Sequence, residues 1–283
     1  MVWLNDEILE ASLEVAHFGI DRLKNANIIW RIWKDRQLLT EQKIVKEIPV
    51  GNCIELGKIK YDLSDLKKPS QLTVSVEIEG YNENKWNIWV YPKEPVKVSA
   101  MPYITSQLDD VALEHLKRGE NVLLLLKKGA ILPEKGGDII VGFSTIFWNT
   151  AWTNKQPPHT MGIFCNPKHP SLSAFPTEKF TDYQWWDLLS NCNAMIMNDF
   201  PSDFSPIVYL IDDWFTSRKL GLLFECKVYN GKLMVCSADL ESNLDERLSA
   251  KQFRQSLLEY MSSDRFTPTF TIAPEVIRKL YVK

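Results

Sequence analysis

The hydrophobic pattern of the chain changes its period once, near residues 93–96, and this change constrains the fold most. Before it, short segments alternate strictly: between residues 72 and 79 every second residue is apolar and the others are polar or charged. Such alternation predicts half-buried antiparallel strands. Six or seven strands separated by turn residues predict an immunoglobulin-like β-sandwich over residues 1–94.

After the change, strand-like and helical segments alternate. A helical spacing of apolar residues from Leu108 to Leu116 follows the short segment VKVSA, which reads as a strand, and Gly119 is placed to end the helix. The apolar run NVLLLL that begins at Asn121 is typical of a parallel strand covered on both faces. Asn230-Gly231 predicts a β-hairpin. Residues 95–283 therefore predict an α/β domain with a mixed, largely parallel sheet and helices on both faces.

Composition argues against several classes of protein for this chain. The net charge is −3 and no basic stripe occurs, which argues against a nucleic-acid partner. No apolar run is long enough for a membrane span, and the stretch MVWLNDEILEAS lacks the features of a signal peptide. The five cysteines are widely spaced without a CxxC motif, so buried free thiols are expected. A cross-strand pair between Cys226 and Cys236 is a minor alternative.

Residues 143–189 form an aromatic-rich stretch that is largely aperiodic in its middle. Long aperiodic segments in compact domains are usually functional or disordered, and aromatic density argues against disorder. Its tryptophans could stack on sugar rings or build a core, and both readings stay open. The candidate ligand-binding residues are four tryptophans and three polar neighbours: Trp148, Asn149, Trp152, His159, Asp182, Trp185 and Trp186.

The sequence indicates no catalytic centre, metal site or cofactor. Cys165 lies near His159 and His169 but is not on a glycine-flanked elbow, so a catalytic pair is a remote alternative. Asp212 and Asp213 could suggest the carboxylate pair of a glycoside hydrolase, but adjacent residues on a strand point to opposite faces and cannot serve as a pair without a bulge. They are instead expected to cap a turn or to pair with Arg218 or Lys219. The histidine and cysteine spacings fit no zinc motif, and no phosphate-binding loop is present.

Several long phrases resemble the C-terminal accessory region of bacterial glycoside hydrolase family 2 proteins, which are β-galactosidase-like. They are VAHFG and NKWNIWVYP in the first part, then FWNTAW, MGIFCNPKHPSLSAFPTEKFTDYQWWDLL and IDDWFTSRKLGLLFECKVYNGKLMVCSADL. The resemblance covers about residues 12–266. It implies that the second part is a flavodoxin-like or glutamine-amidotransferase-like accessory domain, and that the setting is periplasmic or secreted.

The resemblance does not extend to the catalytic activity of that family. The catalytic glutamates of family 2 enzymes sit on an eight-stranded β/α barrel, for which this chain has no room. We therefore predict a non-catalytic, carbohydrate-associated module that binds glycan or supports a catalytic domain. One alternative is a glycoside hydrolase acting through residues 143–189. The other is an oligomerisation or interaction domain, whose partner would be a catalytic glycoside hydrolase domain or a second copy.

Overall fold

The computed structural model describes residues 1–143 and 159–281. The chain divides into two compact units, Met1–Pro95 and Val96–Lys283. The first unit is all-β, and the second is mixed α/β with a partly parallel sheet. The change of hydrophobic period near residues 93–96 therefore coincides with the division between the units.

Seven strands build the first unit, and residues 1–95 contain no helix. They are β1 (Val2–Leu4), β2 (Ile8–His17), β3 (Leu23–Lys34), β4 (Gln37–Ile48), β5 (Gly51–Asp62), β6 (Ser70–Ile78) and β7 (Asn82–Tyr91). Five form one sheet in the order β1-β7-β6-β3-β4, while β2 and β5 pair separately. Side chains from both sheets share one core, in which Trp30, Leu56 and Leu72 are buried. The alternation in β6 thus reflects one face on this core.

Strands and helices alternate in the second unit. Its strands are β8 (Tyr103–Thr105), β9 (Asn121–Leu125), β10 (Ile163–Cys165), β11 (Met195–Ile196), β12 (Val208–Leu210), β13 (Leu220–Val228) and β14 (Gly231–Cys236). Its helices are α1 (Asp110–Lys117), α2 (Trp185–Ser190), α3 (Leu248–Met261) and α4 (Pro274–Arg278), with short 3₁₀ turns at Pro133–Lys135 and Pro170–Leu172.

The strands of the second unit form one sheet in the order β10-β12-β13-β14-β9-β8, with β11 paired to β13. The run NVLLLL becomes β9, which is parallel to both of its neighbours and buried, as its composition predicts. Core residues of α1 and α4 pack on the face of the sheet that carries Phe224 and Cys226. Helix α3 lies on the opposite face, where Tyr260 bonds Glu225, and α2 meets α3 through Trp185 and Phe253. Helices therefore cover both faces.

Two expectations about this sheet need correction. It is mixed but not largely parallel, because among the described strands of this sheet only the β14–β9 and β9–β8 pairs are parallel. The other pairs are antiparallel: they come from the Asn230-Gly231 hairpin and from the short strands β10–β12. The apolar runs of the sequence do not predict the direction of these pairs. The segment VKVSA forms no strand; the strand before α1 is β8, a few residues later.

All five cysteines are free thiols, and four of them are buried. The β13–β14 register places Cys226 opposite Leu233 and Cys236 opposite Leu223. The two cysteines of the hairpin are therefore not cross-strand neighbours. Their burial confirms the expectation of structural thiols.

Candidate functional site

The candidate site is formed by the described residues on either side of residues 144–158 in the sequence. Trp148, Asn149 and Trp152 fall within that segment, outside the described residues. Its two flanks lie side by side: the amide of Thr160 donates to Ile140 O (3.0 Å), and that of Gly162 donates to Gly142 O (3.1 Å). The second flank also meets the end of β12, because the Met161 amide donates to Ile211 O (2.7 Å) and the Ile211 amide donates to Gly162 O (2.9 Å). Backbone hydrogen bonds therefore hold the two flanks together.

Two glycines permit this close approach of the flanks. A Cβ at Gly142 would lie 2.3 Å from Thr160 O and 2.4 Å from Nδ1 of His159. Gly162 has φ +92°, and a Cβ there would lie 2.1 Å from Thr181 Oγ1. That hydroxyl accepts the Ile163 amide proton at 2.8 Å, so it is not able to move away without cost.

We expect Gly162→Ala to lower the free energy of unfolding by about 2–4 kcal/mol, since it adds a steric clash to an unfavourable backbone conformation. Gly119→Ala is the matched control: φ is +86° there, but the nearest atom to the new Cβ would be 3.7 Å away. The control should cost about 1 kcal/mol. Urea unfolding of both variants measures the difference, and equal losses would contradict the steric argument.

An aromatic pair with one exposed member lies beside these flanks. Phe143, the last described residue before the gap, meets Trp186 edge-on with ring centroids 5.3 Å apart. Trp186 lies on α2 and is 60% exposed. The ring of His159 lies against Gly142, the residue before Phe143. We call Phe143, His159 and Trp186 together the Trp186 surface.

His159 is half-buried, and among the described residues only one of its ring nitrogens has a hydrogen-bond partner. Its Nδ1 lies 2.7 Å from Thr160 O and must donate there, since a carbonyl only accepts. In that tautomer Nε2 is an acceptor, and it has no partner among the described residues. The ring is thus held in place by its bond to the backbone.

The neighbouring tryptophan has a different environment. Trp185 is 0% exposed, packs against Phe175 and Phe253, and donates its indole N–H to Thr177 Oγ1 at 2.7 Å. It cannot stack on a ligand in this structure, so the expectation of a stacking role is corrected for this residue. The physical reason is the helix: successive residues on α2 point about 100° apart, which sends one indole inward and the next outward.

Asp182 is occupied by its own chain. Its carboxylate accepts hydrogen bonds from Thr177 Oγ1, from Gln184 Nε2 and from the amides of Glu178 and Gln184, at 2.9–3.3 Å. Burial raises its pKa, and these bonds partly offset the rise. The residue therefore holds the turn before α2, which orients the tryptophan pair.

A second aromatic group surrounds Phe164 of strand β10 and was not predicted from the sequence. Phe164 contacts Phe180 and Tyr209, with ring centroids 5.7 and 6.0 Å apart, and Lys179 Nζ stands 5.0 Å over the Phe164 ring. The signal was available in the sequence, since the buried residues Ile163 and Cys165 flank Phe164 and so direct it to the opposite face. Phe164 and Tyr209 also border an open depression of about 420 Å³.

Arg218 also lines that depression and belongs to an ion cluster. Its Nε and Nη2 donate to the two carboxylate oxygens of Asp212 at 2.8 and 3.0 Å. Burial opposes ionisation of Asp212, but these bonds outweigh it and lower its pKa. Asp213 accepts the amides of Phe215 and Thr216 and also reaches Arg218 at 3.4 Å. Both predicted roles, turn cap and partner of Arg218, are confirmed; the residues follow β12 rather than lying on it.

Cys165 is not arranged as a catalytic nucleophile. Burial raises the pKa of Cys165 to about 12, and its thiol is 3.4 Å from Glu178 O. His159 bonds Thr160, while His169 caps the 3₁₀ turn through Ser171. Neither histidine makes a hydrogen bond with Cys165 in the described part of the chain. A base that does not contact its nucleophile cannot activate it, so the geometry does not favour thiol catalysis.

The remaining carboxylate of interest, Glu225, is inside the unit. Burial raises its pKa, and it accepts a hydrogen bond from the Tyr260 hydroxyl at 2.8 Å. Within residues 1–143 and 159–281, no group of three or more His, Cys, Asp or Glu side chains could hold a metal ion. None of the described helices is both long enough and apolar enough to cross a membrane.

Comparisons with known proteins place the chain in a family. It belongs to the family described as a domain of unknown function, DUF8487, which matches residues 103–282. A second domain of unknown function, DUF8488, matches residues 7–92. The two matches correspond to the two units of the structure.

No curated protein matches the chain. One similar solved structure is a Bacteroides ovatus GH5 xyloglucanase in complex with a XXXG heptasaccharide, at 11% identity and a TM-score of 0.18. The match covers 47% of this chain and 26% of the xyloglucanase chain. A score this low does not establish a shared fold.

Proposed function

We propose that this protein is a non-catalytic, carbohydrate-associated module related to the accessory region of glycoside hydrolase family 2 proteins. In this proposal the first unit is an immunoglobulin-like sandwich and the second an amidotransferase-like accessory domain. The Trp186 surface binds glycan, and the two units support a catalytic glycoside hydrolase domain.

The observation that carries the proposal is the exposed indole of Trp186 beside Phe143. A large exposed aromatic side chain next to polar groups with unused hydrogen-bonding capacity is the usual arrangement for docking the apolar face of a sugar. His159 Nε2 would accept a sugar hydroxyl proton there. Trp148, Asn149 and Trp152 enter the proposal because their segment begins and ends at this surface.

A binding role fits the carboxylates better than hydrolysis does. Glycoside hydrolysis needs two carboxyl groups facing the same bond. Asp182 and Asp213 hold turns, Asp212 is paired with Arg218, and Glu225 bonds Tyr260. Each of these acids already has a structural partner.

We expect Trp186→Ala to weaken glycan binding about tenfold, which corresponds to about 1.4 kcal/mol of lost stacking. A glycan array of plant and host oligosaccharides, followed by calorimetry with the strongest ligand, measures the effect. Trp214→Ala is the matched control, because Trp214 is also exposed but contacts Phe215 instead. Equal losses in both variants, or no glycan bound by the unmodified protein, would overturn the proposal.

A further inference from the structure

The two sheets of the first unit differ in width. One sheet has five strands, whereas the other contains only β2 and β5. Strand β2 pairs with β5 along one edge, and within the described chain the backbone groups of residues 9–16 make no other hydrogen bond. Its other edge therefore presents free N–H and C=O groups over most of a ten-residue strand.

A groove of about 350 Å³ runs beside that free edge. One wall is β2 from Leu9 to Glu14, and the floor is the inner face of β6, β7 and β1. Trp86 belongs to this floor, since it pairs with Val74 of the core, yet it is 45% exposed. The five-stranded sheet thus extends past the free edge of β2, and no strand of the first unit covers that part of it.

Two polar features border the groove. The indole N–H of Trp3, which contributes to the floor, is buried and has no acceptor among the described residues. Glu14 of β2 lies opposite Glu55 of β5, and neither carboxylate has a cation partner in the described part of the chain. Glu10, by contrast, is already paired with Lys60 at 2.9 Å. Like charges opposite each other in a ladder are destabilising.

We propose that β2 accepts an extended segment of a partner protein as a third strand of the shorter sheet. Adjacent strands lie about 4.8 Å apart, so a strand paired with β2 would lie over β7 and β1 and cover Trp86. Its apolar side chains, at alternate positions, fill the groove. A lysine or arginine of the segment opposite Glu14 relieves the repulsion between Glu14 and Glu55.

The same geometry disfavours a second copy of this chain as the occupant. β1 and β7 project beyond the free edge of β2, because Met1, Trp3 and Trp86 line the groove next to it. In a two-fold dimer through β2, the projecting strands of both copies would compete for the same space. A single extended segment has no such projection.

The test is an array of peptides of about nine residues, with Val, Leu, Ile or Phe at alternate positions and Lys, Arg, Glu or Thr between them. The full chain is applied to the array, and the strongest peptide is titrated by calorimetry and by amide hydrogen exchange. The expected result is binding of Lys- or Arg-containing members together with slower exchange of amides in residues 9–14. A peptide N-methylated at alternate residues should bind at least about tenfold more weakly, since it cannot pair along β2.

Two variants test whether the peptide binds in the groove beside β2. Trp86→Ala should weaken binding about tenfold, and Glu14→Lys, at an exposed position, should weaken binding of basic peptides about threefold and favour acidic ones. The proposal is overturned if no peptide binds, if N-methylation has no effect, or if exchange of β2 slows with protein concentration alone. That last result would identify a second copy as the occupant. Glycan binding at the Trp186 surface is in the other unit, so its failure would not affect this test.

Discussion

Replacing Trp185 by alanine is expected to lower the free energy of unfolding of the second unit by about 3–5 kcal/mol. The side chain is fully buried between Phe175 and Phe253, and alanine leaves a cavity that these rings can fill only partly. The substitution also removes the donor to Thr177 Oγ1. Urea unfolding, monitored for the second unit, measures the loss.

Its neighbour provides the control for this prediction. Trp186 follows Trp185 on the same helix but is mostly exposed. Trp186→Ala should therefore cost less than about 1 kcal/mol of stability, since little apolar area is removed from the interior. Similar losses for both variants would show that α2 does not divide the two indoles between core and surface.

Replacing Arg218 by methionine is expected to destabilise the second unit by about 2–4 kcal/mol at neutral pH. Asp212 has a buried side chain, and the variant would leave its charge without the guanidinium that now binds both oxygens. Lys251→Met is the control: its partner Asp245 is 95% exposed, so removal of that pair should cost less than about 0.5 kcal/mol.

The loss at Arg218 should depend on pH. In the unmodified protein the pKa of Asp212 lies below its ordinary value, since the hydrogen bonds from Arg218 outweigh the effect of burial. This pair therefore stabilises the fold above the unfolded pKa of about 3.9, and its contribution is lost as the pH falls through the folded pKa. The difference between wild type and Arg218→Met should shrink below about pH 4. A difference that is constant from pH 7 to pH 3 would exclude the charge of Asp212 as its cause.

Much of the fold could be predicted because the local pattern of apolar and polar residues indicates which side chains are buried. Alternation in β6, the apolar run of β9 and the Asn-Gly hairpin each depend on a few neighbouring residues, and each forms where expected. It was harder to predict which strands of the second unit's sheet pair in parallel and which pair antiparallel. The strands β10, β11 and β12 have two or three residues each, which is too short for a period to be recognised.

The candidate site was predicted only in outline. Composition indicated that residues 143–189 are unusual, but not which aromatic side chains are exposed. Trp185 and Trp186 have the same chemistry and adjacent positions, yet one is core and the other surface. Phe143 carried no signal of its own, because its role arises from a contact with Trp186, which is distant in the sequence. The neighbours of Phe164 indicate which way its side chain points, but not that it meets Tyr209.

The order of residues alone establishes two units, an all-β one followed by an α/β one, since hydrophobic period is a local property of the chain. It also establishes the tryptophan-rich stretch and the near-neutral charge. Long-range packing settles which indole faces solvent, that Asp212 and Asp213 converge on Arg218, and that β2 keeps a free edge beside an apolar groove. These features depend on how separate elements meet, and burial and hydrogen-bond satisfaction select that arrangement for the whole chain at once.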